Sequence, residues 1–136
     1  MTYLAAAIQL AAGSDKAANL ERAERLIRLA AARGANLVGL PETFNWRGKR
    51  SEEAAAAEPL EGESLAVISR LARELSLYIV AGSITEHAPG QPKRYNTSAL
   101  IGPPVRAAFN AMAPSSSGSN SRISIPPTRM APFCTS

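Results

Sequence analysis

Glu42 is the residue of this chain best placed to do chemistry. Leu37-Val38-Gly39-Leu40 reads as a short buried strand, and Pro41 ends it. Glu42 therefore falls at a strand's carboxyl end, where α/β proteins hold their ligands. A carboxylate in that place suits general-base work. On position alone, an ordinary loop glutamate is the simpler reading. Partners for it are scarce. The 136 residues contain one cysteine (Cys134), one histidine (His87) and three lysines (Lys16, Lys49 and Lys93). A thiol needs activation before it attacks a carbon centre, and the resulting oxyanion needs a cation or donors. Cys134 is followed only by Thr135 and Ser136, so an exposed tail thiol is expected rather than a nucleophile. Lys93 lies in a turn rich in proline and glycine and reads as a solvated charge.

The remaining candidates are weaker. His87 opens the same turn and is expected on the surface. Glu86 either faces the crevice near Glu42 or joins a surface ion pair. Phe44 and Trp46 either wall a pocket or pack beneath a loop. One histidine and one cysteine do not make a structural metal site, and no glycine-rich phosphate loop is present. Neither a metal nor a cofactor is expected.

The elements that must position Glu42 follow from apolar periodicity. Tyr3 to Leu10 is a nearly continuous apolar run, the pattern of a strand buried on both faces. Ser14 or Asp15 caps a helix running to about Arg33, with Ala23, Leu26, Ile27, Ala30 and Ala31 on one face. Glu21 with Arg25, and Glu24 with Arg28, have the spacing of helical ion pairs. Gly34 stops the helix, and 37–40 follows as a parallel strand of a βαβ unit. One helical turn is predicted near 52–57 and a second amphipathic helix over 64–75. A third strand spans 77–84, a turn 87–94 and a fourth strand 95–101, antiparallel to the third. The class is α/β.

Four segments in this order resemble the carbon–nitrogen hydrolase (nitrilase) superfamily. They are Ala5-Ala6-Ala7-Ile8-Gln9-Leu10, Gly34 through Phe44, Tyr78 through Ile84, and Tyr95-Asn96-Thr97-Ser98. Asn45-Trp46-Arg47-Gly48 is most similar to the branch of omega-amidase and deaminated glutathione amidase type. The resemblance implies part of a four-layer αββα sandwich and a Glu-Lys-Cys triad acting on a small linear amide. In such a triad a cysteine forms a thioester, a glutamate is general base, a lysine holds the oxyanion, and water releases the acid. Residue by residue, it assigns Glu42 as the base. No lysine or nucleophilic cysteine is identifiable: the place of the lysine reads Phe109-Asn110-Ala111-Met112-Ala113.

The likeness stops near Gly102. Residues 1–102 hold all 11 acidic residues and carry a net charge of +1, whereas 103–136 hold three arginines and no acid. The second stretch has six prolines and seven serines in 34 residues, too few apolar contacts to offset its chain entropy. Residues 1–102 are thus expected to be the N-terminal part of a hydrolase domain, and 103–136 a low-complexity, disordered tail. A shift of reading frame and a genuine variant end both account for so abrupt a change. The expected partner is a small amide in intact relatives, with the chain itself inactive. The competing expectation is a non-catalytic remnant or interaction module. Three tail arginines are too few for nucleic-acid binding. No apolar run has membrane-spanning length, the start lacks a signal-type n-region, and the cysteine count fits the cytoplasm. Homo-oligomer formation is left open. An open sheet edge and an uncovered apolar face are expected to make the isolated chain poorly soluble.

Overall fold

A computed structural model describes residues 2–103 and the backbone of 107–112. Nine elements follow in chain order: β1 (Ala5–Ala7), α1 (Lys16–Ala32), β2 (Leu37–Gly39), α2 (Glu53–Ala56), α3 (Glu63–Leu75), β3 (Tyr78–Val80), β4 (Ile84–His87), β5 (Arg94–Ile101) and β6 (Ala107–Met112). They form a mixed sheet in the order β1-β2-β3-β5-β4, with β6 on the other edge of β5. β1, β2 and β3 are parallel, and β5 is antiparallel to β3, β4 and β6.

Each helix follows from its sequence. The Asp15 side chain accepts the Ala18 N–H at 3.0 Å and caps α1. Gly34, at φ +86°, takes the left-handed position beyond its end. α1 and α3 pack side by side on one face of the sheet, burying Leu20, Ala23, Ile27, Leu65, Ile68 and Leu71. Glu24 and Glu74 bridge to Arg28 and Arg70 across their exposed seam. The Glu21–Arg25 spacing yields no ion pair among the described residues.

Strand alternation sorts the sheet into two faces. The row Ala6–Val38–Ile79–Ile101 is in register and points at the helices. The neighbouring rows Ala5–Leu37–Tyr78 and Ala7–Gly39–Val80–Leu100 point the other way. Tyr78 is 51% and Leu100 42% exposed. The apolar run at 3–10 is therefore not a strand buried on both faces. Only three of its residues enter the sheet; Tyr3 and Leu4 are exposed, because β1 is an edge strand and one sheet face carries no helix.

The strand predicted over 77–84 is two strands. Ala81 N–H bonds Ala99 O at 2.8 Å, and Ile84 is paired with Thr97. Gly82 and Ser83 thus stand opposite the single residue Ser98, which is a β-bulge. Composition predicts no regular structure after Gly102, yet Ala107–Met112 pairs with Asn96–Ile101 as β6. The free edge of β5 supplies a ladder of backbone donors and acceptors that local composition does not reveal. The rest of that expected tail, 104–106 and 113–136, lies outside the described residues.

The bulge makes a sharp steric demand. Gly82 has φ +51°, and a Cβ there would collide with the Pro41 carbonyl oxygen and sit 2.7 Å from its carbon. Gly34 is also left-handed, but a Cβ there would meet nothing within 4 Å. Gly34→Ala is expected to cost only the backbone penalty, about 1–2 kcal/mol. Gly82→Ala adds a backbone collision and is expected to cost more than Gly34→Ala. Urea unfolding of both variants checks the order, and equal losses would refute the tight contact.

Candidate functional site

The turn that carries Glu42 is held in place by three contacts, from the end of β3 and from the bulge that follows it. Leu40 N–H bonds Val80 O at 2.9 Å and brings the end of β2 to the end of β3. Gly82 passes directly against Pro41. The Ser83 hydroxyl, re-aimed by the bulge, accepts the Thr43 N–H at 3.0 Å. Between these points the chain makes a tight turn in which Thr43 adopts φ +50°. A left-handed threonine is a costly conformation, kept only where the surroundings enforce it. Glu42 projects from this turn into solvent-accessible space, and Asn96 Nδ2 donates to its Oε1 at 2.7 Å.

Asn96 was not anticipated as a site residue. It lies 54 positions from Glu42 and reaches it because even-numbered residues of β5 point away from the helices. Its Oδ1 is buried with no hydrogen-bond partner among the described residues. The only sequence signal was its place within Tyr95-Asn96-Thr97-Ser98. Ser83 was missed for a related reason, since a bulge shifts facing by one residue.

The strand-period logic also corrects Glu86. It does not face a crevice with Glu42, nor does it form an ion pair among the described residues. It is buried on the helix-facing side, where the Thr97 hydroxyl donates to it. Asn96 and Thr97 are adjacent on β5, so their carboxylate partners stand on opposite faces of the sheet. Phe44 and Trp46 separate likewise. Phe44 is fully buried in the core, whereas Trp46 lines an open groove of about 250 Å³ together with Glu42, Thr43, Arg47, Arg50 and Glu53.

The loop that follows Glu42 is anchored by a buried polar network. Asn19 on α1 donates to Gly13 O at 2.7 Å and to Asn45 O at 3.0 Å, and accepts the Gly13 N–H. Asn45 Nδ2 donates to Ser64 Oγ at 3.0 Å. Ser64 in turn gives its hydroxyl and its backbone N–H to the Glu58 carboxylate, at 2.7 and 2.9 Å. Glu58 thereby caps α3 from outside the helix, where a negative charge is favoured. Gly62 leaves the room: a Cβ there would lie 2.7 Å from Glu58 Oε2. Lys16 Nζ completes the network at 2.5 Å from Glu58 Oε1. The ion pair between Lys16 and Glu58 joins the start of α1 to the start of α3.

Lys16 is therefore committed to structure. Lys49 and Lys93 are exposed, as is His87, and none of the three contacts Glu42 through a hydrogen bond or ion pair among the described residues. Cys134 lies outside the described residues. Among the described residues no group of three or more metal-ligating side chains occurs, and no helix is long and apolar enough to cross a membrane.

Comparison with known proteins identifies the family and the fold. Residues 4–121 match the family model for carbon–nitrogen hydrolases, a span that continues past Gly102. Omega-amidase NIT2 of Mus musculus is 44% identical over 102 residues, which cover 75% of this chain and 36% of that protein. Omega-amidase NIT2 of Homo sapiens is 42% identical over the same shares. The chain thus spans about a third of the length of the curated relatives it matches. Nit3 of Saccharomyces cerevisiae, a nitrilase-superfamily member, superposes with a TM-score of 0.70 at 28% identity, over 77% of this chain and 42% of that one. The NitFhit protein of C. elegans shares the fold at a TM-score of 0.69 and 20% identity, over 86% of this chain and 30% of that one. The expected α/β, nitrilase-type fold is borne out.

The Glu58 network has a pH signature. Burial raises the Glu58 pKa, but the Lys16 ammonium and the two Ser64 donors outweigh it and hold the carboxyl below its ordinary value. A carboxyl lowered in the folded state contributes stability at neutral pH and loses it as pH falls through the folded value. Stability of the chain is expected to fall below about pH 4.5. Lys16→Met should cost about 1–3 kcal/mol at pH 7 by leaving the carboxylate short of its partner. Urea titrations between pH 3 and 7 test both, and an unchanged midpoint in the variant would refute the ion pair's role.

Proposed function

The chain belongs to the carbon–nitrogen hydrolase family, and from that premise we propose that it carries the general-base part of an amidase site for small linear ω-amides. The observation that carries the proposal is the Glu42 turn. A carboxylate stands at the end of a core parallel strand, fixed by Ser83 and Gly82 behind it and oriented by Asn96 beside it. Such restraint is what a base must have to meet a proton in one geometry. In this reading Glu42 accepts the proton of a thiol as sulfur attacks the amide carbon. It returns that proton to the departing nitrogen, and later takes one from the water that cleaves the thioester.

The rest of the triad is not supplied by the residues around Glu42. Lys16 is held by Glu58, and the family's lysine position reads Phe109 to Ala113. The chain alone is therefore proposed to be inactive, its base awaiting a nucleophile and an oxyanion cation. Similarity to omega-amidases supports the substrate class, a dicarboxylic acid amidated at one end. A second reading, an interaction module, is supported by the exposed rows through Tyr78 and Leu100. Glu42 would then be dispensable.

A chimera separates the two. Residues 3–102 of this chain would replace the matched segment of the Mus musculus omega-amidase, with ammonia release from a dicarboxylic monoamide as the assay. The chimera is expected to turn over, and Glu42→Gln to reduce kcat by roughly 10²–10⁴-fold, the usual worth of a general base. The chain alone should release no ammonia above background. A folded Glu42→Gln chimera with full kcat would overturn the proposal.

A further inference from the structure

We propose that the free edge of β1 is a docking site for an extended, acid-bearing strand of another protein, which would lengthen the sheet by one strand. The groove beside this edge shares no residue with the one at Glu42, and the inference is independent of the amidase reading.

The edge is open by geometry. β1 pairs only with β2 among the described residues. Leu37 N–H bonds Leu4 O at 3.3 Å, and Ile8 N–H bonds Gly39 O at 2.8 Å, so the even-numbered residues of the run face β2. Strand alternation turns the N–H and C=O groups of Ala5 and Ala7 outward, where an added antiparallel strand can bond both residues. Natural sheet edges are commonly blunted by charge, proline or a bulge. Tyr3 to Leu10 contains no charged residue and no proline. By contrast, the backbone of Glu58 bonds that of Thr85 and His87 and covers β4.

The edge also has room for side chains. A groove of about 280 Å³ runs beside it, lined by Leu4, Ala6, Ile8, Leu26, Leu29 and Ala30. Leu4 and Leu29 are 49% and 44% exposed. Alternate side chains of an added strand would all lie on this face.

Charge selects the occupant. Arg33 lines the groove, and no acidic side chain does. It lies three residues before Asn36, whose N–H bonds Leu4 O, and so stands near the start of β1. Beyond the other end, Arg22 bonds Ala11 O at 2.7 Å. Neither arginine forms an ion pair among the described residues. A second copy, paired through its own β1 about a two-fold axis, would set arginine against arginine. Residues 113–136 alternate suitably at Ile123 and Ile125 but carry arginines and no acid. The edge therefore favours a foreign strand with aliphatic side chains at alternate positions and a carboxylate at the Arg33 end.

The probe is the end-capped, fluorescein-labelled peptide Thr-Val-Thr-Val-Thr-Glu, titrated into the full chain and followed by anisotropy. Antiparallel addition puts its valines opposite Ile8 and Ala6 and its glutamate opposite Leu4, beside Arg33. Saturable binding is expected. N-methylation of the second threonine, which faces Ala7, should weaken it about tenfold or more, and N-methylation of the second valine, whose N–H points off the new edge, by less than about twofold. Lysine in place of the glutamate should weaken binding about tenfold, and Arg33→Glu should reverse the order of the two peptides. Ala7→Pro removes an outward N–H, leaves the β2 ladder intact and should abolish binding. No saturable binding, indifference to N-methylation, or a peptide order unmoved by Arg33→Glu would overturn the site. A dimer in sedimentation that Ala7→Pro dissociates would put a second copy at the edge, and tighter peptide binding by the Ile123→Asp, Ile125→Asp double variant would put the chain's own C-terminal segment there. Either result overturns the foreign strand.

Discussion

The contact between Gly82 and Pro41 is the constraint on which the site depends. Two backbones approach so closely that no side chain fits between them. This approach is possible because a bulge interrupts the strand at Gly82 and Ser83. The bulge has a second effect: it turns the Ser83 hydroxyl towards the Thr43 N–H. One irregularity thus both admits the Glu42 turn and fastens it. The left-handed Thr43 is the strain that remains, and rigid neighbours on both sides keep it from relaxing.

The polar network through Asn19, Asn45, Ser64, Glu58 and Lys16 plays the complementary role on the other side of the loop. It lies among the helix starts, where unpaired N–H groups need acceptors. Glu58 is only 6% exposed, a cost that its ammonium and hydroxyl partners offset. Because Asn45 belongs both to this network and to the loop, the ends of α1 and α3 set where Trp46 and Arg47 emerge. The groove and the Glu42 turn are thereby held by the same scaffold.

The uncovered sheet face has a different character. Its apolar rows match in register across β1, β2, β3 and β5. The chain spans 36% of the length of its omega-amidase relatives, and the αββα arrangement implied by resemblance places a second sheet against such a face. The same apolar residues explain why the run at 3–10 reads as buried on both sides: its side chains are apolar on both faces of the strand, while α1 and α3 cover only one.

Much of the fold was legible in local pattern. The Asp15 cap, the apolar faces of α1 and α3, and the proline that ends the second strand act over one or two helical turns or a single peptide. Residue order therefore suffices to place them, and Glu42 with them at a strand end. What local order could not convey was facing and pairing. A single extra residue at Gly82 reverses which side chains look towards Glu42. It is a long-range ladder that brings Asn96 to Glu42, sends Glu86 to the opposite face, and pairs Ala107–Met112 with β5. Such pairings join residues far apart in sequence, and their geometry exists only once the sheet has formed.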